Sequence, residues 1–359
     1  MREEYIKDND MMDCLRMVSP GTPMREGLEN ILRARTGALI VIGDSPEVMK
    51  IVDQGFFINK EYSPSHIYEL AKMDGAIILS KDTKKILCCN SLLIPDPSIP
   101  TGETGTRHIN ADRFAKQTGE VVICISQRRN IITLYKGYKK YILRDSSVIL
   151  AKANQALETL ERYKMVLDNA LANLNALEFE NAVTIEDMAL VIQRTEMVMR
   201  IAAEIDRYIC ELGNEGRLLS MQLNEVLDNT ESDGKLVIED YRNIYENRPI
   251  EEILRQIRQL NYDELADISR VYRIMGYHST SPNETIIEAR GYRVMNKVPK
   301  VPMGIARKVA DAFSSLQSIL KASIEDLDEV EGIGSVRARV IKDGLRRLQE
   351  QVRISSFKS

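Results

Sequence analysis

The pattern of apolar and polar positions changes character near Arg144. Before it, short apolar runs alternate with amphipathic stretches. "GALIVIGD" reads as a buried strand. "GAIILSKDTKKILCCNSLLIP" reads as two strands joined by a polar turn, and "EVVICISQRRNIITLYKGYKKYIL" as three more. "SPGTPMREGLENILRAR" and "SPSHIYELAKM" read as helices that open on turn-forming or small polar residues. Residues 1–145 are therefore predicted to form one α/β domain, a mixed sheet flanked by helices.

From Ser146 to about Asn181 there is almost no Gly or Pro. Val148, Ala151, Ala156, Leu160, Leu167, Leu171 and Leu174 recur at helical spacing. Thr184 and Asp187 form a box-like start to a second helix in "TIEDMALVIQ". "EMVMRIAAEIDRYICEL", "LLSMQLNEVL", "PIEEILRQIRQL" and "DELADISRVYRIMGY" continue the helical text, and "NTESDGK" reads as a loop. Residues 146–284 are predicted to be an all-α spine whose Met and Leu stripes are core. "HSTSPNETI" loosens the chain, and residues 285–359 read as a compact all-α module.

Charge sharpens this division. From residue 290 onward there are 14 Lys/Arg against 8 Asp/Glu, while the whole chain carries a net −4. A basic tail on an acidic body suggests a polyanionic partner for the tail. "MREEYIKDNDMMDCLRM" lacks the apolar stretch of a signal peptide, and no segment approaches the roughly 20 apolar residues of a membrane span. The five cysteines, Cys14, Cys88, Cys89, Cys124 and Cys210, lack metal-type spacing. They read as reduced thiols of a cytoplasmic protein, with Cys88 and Cys89 pointing to opposite faces of a strand.

The tail carries a specific short motif. Ser323 caps a helix with Asp326 three residues on, "EGIGS" stops it, and a second helix starts at about Ser335 with Arg337, Arg339, Lys342, Arg346 and Arg347. Gly332 and Gly334 flank Ile333 and would let backbone N–H groups meet a phosphate diester at a helix N-terminus. Such a grip reads no base. Val330 to Ala338 resembles the helix-hairpin-helix motif. The resemblance implies DNA contact through Gly332, Ile333, Gly334, Arg337 and Arg339. It also implies a preference for branched DNA such as Holliday junctions, and hence association with the nucleoid. A weaker hairpin precedes it in "NKVPKVPMGIARKVADAF", where Pro299, Pro302 and a lone Gly304 replace the paired glycines.

A second constellation lies in the first domain. Asp74 stands at a strand edge before Gly75 and Ala76, small enough for a nucleotide to approach the backbone. Its carboxylate suits a divalent cation. Gly102, Thr104, Gly105 and Thr106 form a loop, and Arg107 and His108 open a helix continued by Ala111, Phe114 and Ala115. "SQRRN" adds Ser126, Arg128 and Arg129 at a strand end. These groups converge on phosphate. From the residues alone, the reading is a nucleoside triphosphate with a metal. Clustered carboxylates of a two-metal nuclease are missing.

"DGAIILS" and "GTRH" resemble the two signature motifs of the diadenylate cyclase domain. The order of modules is similar to that of the DNA integrity scanning family of diadenylate cyclases. The resemblance implies condensation of two ATP to cyclic di-AMP and two pyrophosphates. It also implies Mg²⁺ or Mn²⁺, and a homo-octamer with cyclase domains facing in pairs. Asp74, Arg107 and His108 would be the catalytic set, with Asp74 holding the metal. Gly75, Ala76, Leu93, Thr106, Ile109 and Asn110 would surround the nucleotide, with Ser126, Arg128 and Arg129 at the outer phosphates. The family's second motif reads Arg-His-Arg, whereas this chain has Ile109 after His108. Asn110 and Gln127 also depart from the usual threonine and basic residue. Weak to normal turnover is expected. The competing reading is a DNA-structure sensor whose nucleotide pocket is weak or inactive.

Overall fold

The computed structural model describes residues 9–53, 55–243 and 248–356. They pack as two compact units. The first runs up to Ala156 and includes Ala203–Gln222; the second comprises Leu157–Ala202 and the described residues from Leu223 onward.

The first unit is built on an eight-stranded sheet. Its strands are β1 (Ala38–Ile42), β2 (Val52–Asp53), β3 (Phe56–Glu61), β4 (Ala76–Leu79), β5 (Lys85–Leu93), β6 (Val121–Ser126), β7 (Ile131–Lys136) and β8 (Lys139–Ile142). The order is β2-β5-β4-β1-β6-β7-β8, with β3 also paired to β5. β1 and β4 are parallel and the other pairs antiparallel, so the sheet is mixed as expected.

Strand periodicity divides the core in two. Ala38, Ile40 and Ile42 face one side with Ile77, Leu79, Ile123 and Ile125. Leu39 and Val41 face the other with Ala76, Ile78, Val122 and Cys124. Cys89 and Cys88 fall on these opposite faces, as the alternation requires. The first face is covered by α1 (Asn9–Met17), α2 (Pro23–Arg33) and α4 (Pro64–Leu70). The second is covered by α3 (Pro46–Lys50) and α5 (Thr106–Thr118). Helices α2, α3 and α4 each begin with a hydroxyl residue followed by proline: Thr22-Pro23, Ser45-Pro46 and Ser63-Pro64. The hydroxyl accepts a first-turn N–H and the proline fixes φ where no donor is needed.

Helices α6 (Ser146–Glu180), α7 (Ile185–Leu212) and α8 (Arg217–Leu227) follow. Thr184 and Asp187 exchange hydrogen bonds at 3.1 and 3.2 Å and start α7 as predicted. The buried stripe of α6 differs from expectation in its first turns. Ile149, Ala153, Leu157 and Leu160 are buried, while Val148 and Ala151 are exposed. Val148, Ile149 and Leu150 are consecutive, so apolar pattern alone does not choose among them.

"NTESDGK" is helical rather than a loop. It opens α9 (Thr230–Tyr241). A Cβ on Gly234 would lie 2.5 Å from the Thr195 side chain, so this glycine serves close helix packing and not a turn. The second unit continues with α10 (Ile250–Gln259), α11 (Tyr262–Ala266), α12 (Ile268–Ile274), α13 (Tyr292–Asn296), α14 (Met303–Ala312), α15 (Leu316–Lys321), α16 (Ile324–Asp328) and α17 (Ser335–Ser356).

One buried ionic cluster ties α13 to the rest. Arg293 is fully buried, pairs with buried Glu178 and donates to Asn175 Oδ1 at 2.6 Å. Asp240 accepts the backbone N–H groups of Gly291, Tyr292 and Arg293 at 2.7, 2.6 and 3.0 Å. A carboxylate thus caps the first turn of α13 from inside the protein.

Candidate functional site

Sheet register assembles the site. β1 lies between β4 and β6, with Leu39 opposite Ala76 and Ala38 opposite Ile125. The beginning of β4, preceded by Asp74 and Gly75, therefore adjoins the end of β6 at Ser126. The loop from Gly102 feeds α5 beside them. Gly105 is the N-cap and no side chain closes it. The first-turn N–H groups and the helix dipole then favour an anion. Ala111, Phe114 and Ala115 anchor α5 in the core.

These segments enclose an open cleft of about 550 Å³. It is lined by Asp74, Gly75, Gly105, Thr106, Arg107, His108, Ile125, Ser126, Gln127 and Arg128. The predicted Asp-Gly, Gly-Thr-Arg-His and Ser-Gln-Arg-Arg segments are thus brought together. Ala76 and Leu93 are buried in the sheet core, so they can reach a ligand only through backbone atoms. Ile109, Asn110 and Arg129 are outside the lining; Ile109 and Asn110 are half-buried and Arg129 is exposed.

Asp74 is fully solvent-exposed, and its Oδ1 lies 3.6 Å from Arg107 Nη2. Gly37 makes room for that guanidinium: a Cβ there would lie 2.1 Å from Arg107 Nη1. Sequence reasoning missed Gly37. The available signal was its place just before β1, the strand that joins the two site strands. Gly75 has φ +91, and a Cβ would meet the Asn90 carbonyl carbon at 2.8 Å and Ser91 O at 2.9 Å. Close packing against β5 therefore demands glycine, a reason separate from ligand approach.

His108 belongs to a network the sequence did not reveal. Its Nδ1 is 2.8 Å from the Tyr135 hydroxyl, which donates to Glu103 Oε1 at 3.0 Å. Lys140 pairs with the same carboxylate oxygen. Burial pushes the His108 pKa below its ordinary value; Glu103 opposes this, and Lys140 and Arg129 add to it. Burial acts to raise the Glu103 carboxyl, but hydrogen bonds from Lys140 and Tyr135 outweigh it and hold the group below the usual range. Among the described residues, His108 Nε2 is buried without a hydrogen-bond partner.

In the second unit, α16, its turn and α17 form a helical hairpin. Ser323 and Asp326 make the predicted capping box. Gly332 has φ +86, Ile333 is buried, and a Cβ on Gly334 would meet nothing within 4 Å. Arg337 Nη1 donates to Gly332 O at 2.7 Å and braces the turn, whereas Arg339 is exposed. Lys342 is not directed outward as its place among the basic residues suggested; it donates to the carbonyls of Leu320, at 2.9 Å, and Ala322.

The earlier hairpin is closer to this one than its prolines suggest. Val301 N donates to Val298 O as Ile333 N does to Val330 O, at 3.4 and 3.0 Å. Ala306 N donates to Pro302 O as Ala338 N does to Gly334 O, both at 3.0 Å. Lys300, at φ +66, takes the left-handed position of Gly332.

The class defined by these features is a nucleotide-binding α/β domain joined to a helical unit ending in paired hairpins. Residues 25–140 match the family described as the DisA bacterial checkpoint controller nucleotide-binding domain, and residues 143–284 match its linker region. The DNA integrity scanning protein DisA of Acetivibrio thermocellus is 62% identical over 98% of this chain and 98% of its own length. The proteins of the same name from Clostridium botulinum and Clostridium kluyveri are each 57% identical. The first covers 96% and the second 98% of this chain, and 98% of each relative is matched. The chain belongs to the DisA family. Among the described residues, no helix is long and apolar enough to cross a membrane.

Proposed function

We propose that the protein is a diadenylate cyclase that joins two ATP molecules into cyclic di-AMP with release of two pyrophosphates, and that this activity is coupled to sensing branched or damaged DNA. The reading rests on the one-sided cleft where Asp74, the open α5 N-terminus and Arg107 meet. Thr106, Ser126 and the α5 N–H groups would hold the triphosphate, and Arg107, Arg128 and Arg129 would neutralise it.

The cleft suits a divalent cation carried by the substrate. Among the described residues there is no group of three or more His, Cys, Asp or Glu side chains that could hold a metal alone. Asp74 supplies one exposed carboxylate, and phosphate oxygens would complete an oxygen shell for Mg²⁺ or Mn²⁺. When bound, the cation would lower the charge barrier at the reacting phosphate. The product has two-fold symmetry, so two chains must face each other with one ATP each. Each 3′-hydroxyl would then attack the opposite α-phosphorus, its proton passing to solvent, and pyrophosphate would leave with the electrons of the broken P–O bond. A homo-octamer of paired cyclase domains meets that requirement.

Incubation of the purified protein with ATP and Mn²⁺ should yield cyclic di-AMP by chromatography. Absence of product would leave the competing reading, a DNA sensor with a weak or inactive nucleotide pocket, which Ile109 favours. Ile109→Arg is expected to raise turnover on the order of tenfold by restoring a cation beside the phosphate loop. An unchanged rate would show that this position takes no part.

The hairpins of the second unit are assigned to DNA. The turn before α17 would present backbone N–H groups at that helix N-terminus, a grip on phosphate without base readout. With roughly four neutralised phosphates, affinity for a branched duplex should fall on the order of 10²-fold between 50 and 200 mM salt. Gly334→Val should weaken binding roughly tenfold by filling the space a phosphate needs, with thermal unfolding unchanged. Salt-independent binding, or full binding by the variant, would remove the assignment.

A further inference from the structure

We propose that Tyr135 and Glu103 are positioning residues that fix His108 as its Nδ1–H tautomer, so that Nε2 offers a bare lone pair to a hydrogen-bond donor of the bound nucleotide. The consequence for catalysis rests on the cyclase reading above; the tautomer does not.

Donor and acceptor pairing around Tyr135 sets the tautomer. The Tyr135 hydroxyl has one proton and two neighbours, His108 Nδ1 at 2.8 Å and Glu103 Oε1 at 3.0 Å. A carboxylate only accepts, so the proton belongs on the Tyr135–Glu103 bond. Charge assistance strengthens that choice, and Lys140 holds Glu103 in its charged form. The reverse arrangement would set a tyrosine lone pair against a carboxylate lone pair. The hydroxyl must then accept from His108, which puts the proton on Nδ1. Nε2 is left as the acceptor of a neutral imidazole, and it is buried without a partner among the described residues, on a side chain that lines the cleft.

The surroundings agree. Burial lowers the His108 pKa and so favours the neutral ring, with Glu103 opposing and Lys140 and Arg129 assisting. A neutral imidazole with a bare Nε2 has nothing to give a phosphate oxygen, because both are acceptors. Its complement is a ribose hydroxyl or the amine of a base, which leaves the triphosphate to the arginines and the α5 N-terminus. The Tyr135 side chain is wholly buried, so it is fixed by packing before any ligand arrives.

The test is nitrogen NMR of the full-length, ¹⁵N-histidine-labelled protein. The chain has three histidines, so His66→Gln and His278→Gln variants assign the spectrum. At about pH 7.5, His108 should show a protonated Nδ1 and a pyridine-type Nε2. Tyr135→Phe keeps the packed ring and should convert His108 wholly or partly to the other tautomer. Glu103→Leu should do the same from a more accessible position. Glu103→Gln, which retains an acceptor for the hydroxyl, should preserve the native tautomer. In cyclase assays, Tyr135→Phe should lower kcat roughly 10²-fold with KM for ATP nearly unchanged, while Glu103→Gln retains more activity. A native Nε2–H tautomer, or one indifferent to Tyr135→Phe, overturns the proposal. A changed tautomer with unchanged kcat overturns its catalytic part. The expected spectra from a protein that makes no cyclic di-AMP would uphold the relay and refute the cyclase reading instead.

Discussion

Asp74→Asn is expected to reduce cyclic di-AMP formation by 10³-fold or more while leaving melting temperature and DNA affinity unchanged, the magnitude following from loss of the group proposed to hold the metal at the reacting phosphate (about 4 kcal/mol or more). Asparagine keeps the shape of the side chain and removes its charge. Among the described residues, Asp74 is the one carboxylate in the cleft lining, so no neighbour can replace it. The side chain is fully exposed and its contact with Arg107, at 3.6 Å, is a loose surface pair. Such pairs contribute little to folding. Initial rates with ATP and Mn²⁺, a melting curve and a gel-shift series separate the effects. A variant that keeps more than a tenth of native turnover would refute the role given to Asp74.

The largest expected stability effect lies far from the cleft in sequence, at Arg293. Arg293→Met should cost about 3–5 kcal/mol, because removing one partner leaves the other buried charge uncompensated. Glu178 would then keep its buried charge without the arginine that pairs with it. Burial, then the charge of Glu178, already raises the Asp240 carboxyl to about 7, against the Arg293 N–H, its charge and the Tyr292 N–H. A carboxyl raised on folding binds its proton more tightly in the native state. Its contribution is fully present below the ordinary carboxylate range and is lost as pH rises towards about 7. Urea unfolding of the native protein should therefore show stability declining across that window, and Asp240→Asn should flatten the decline. The double variant Arg293→Met/Glu178→Met should recover much of the loss of the single one. Equal stability of Arg293→Met and native protein would mean that the cluster does not hold α13.

Legibility in the sequence followed burial. β1, β4 and β6 sit in the middle of the sheet, carry near-continuous apolar runs and stood out at once. The hydroxyl-proline starts of α2 and α4 were equally plain, since a cap is a local device. β3 was not seen, because this peripheral strand leaves Phe56 and Phe57 exposed and shows no alternation. α9 was misread because Gly234 signals a turn by composition, while its reason for being glycine is Thr195 on another helix. Of the candidate site, the segments with a chemical signature (Asp74-Gly75, Thr106-Arg107-His108 and Ser126 onward) were found. Gly37, Glu103, Tyr135 and Lys140 were not: each acts on a site residue across space, and none is unusual among its own neighbours.

The sequence by itself determined which residue types are available for phosphate, which runs must be buried, and where each helix can begin. These depend on contacts within a few residues, which spacing encodes. Only the tertiary structure decided that β1 carries β4 and β6 side by side, that Tyr135 links His108 to Glu103, and that the first hairpin follows the course of the second despite its prolines. Those outcomes depend on register, on donor and acceptor pairing, and on which backbone approaches which. All three are set by distant parts of the chain meeting in space.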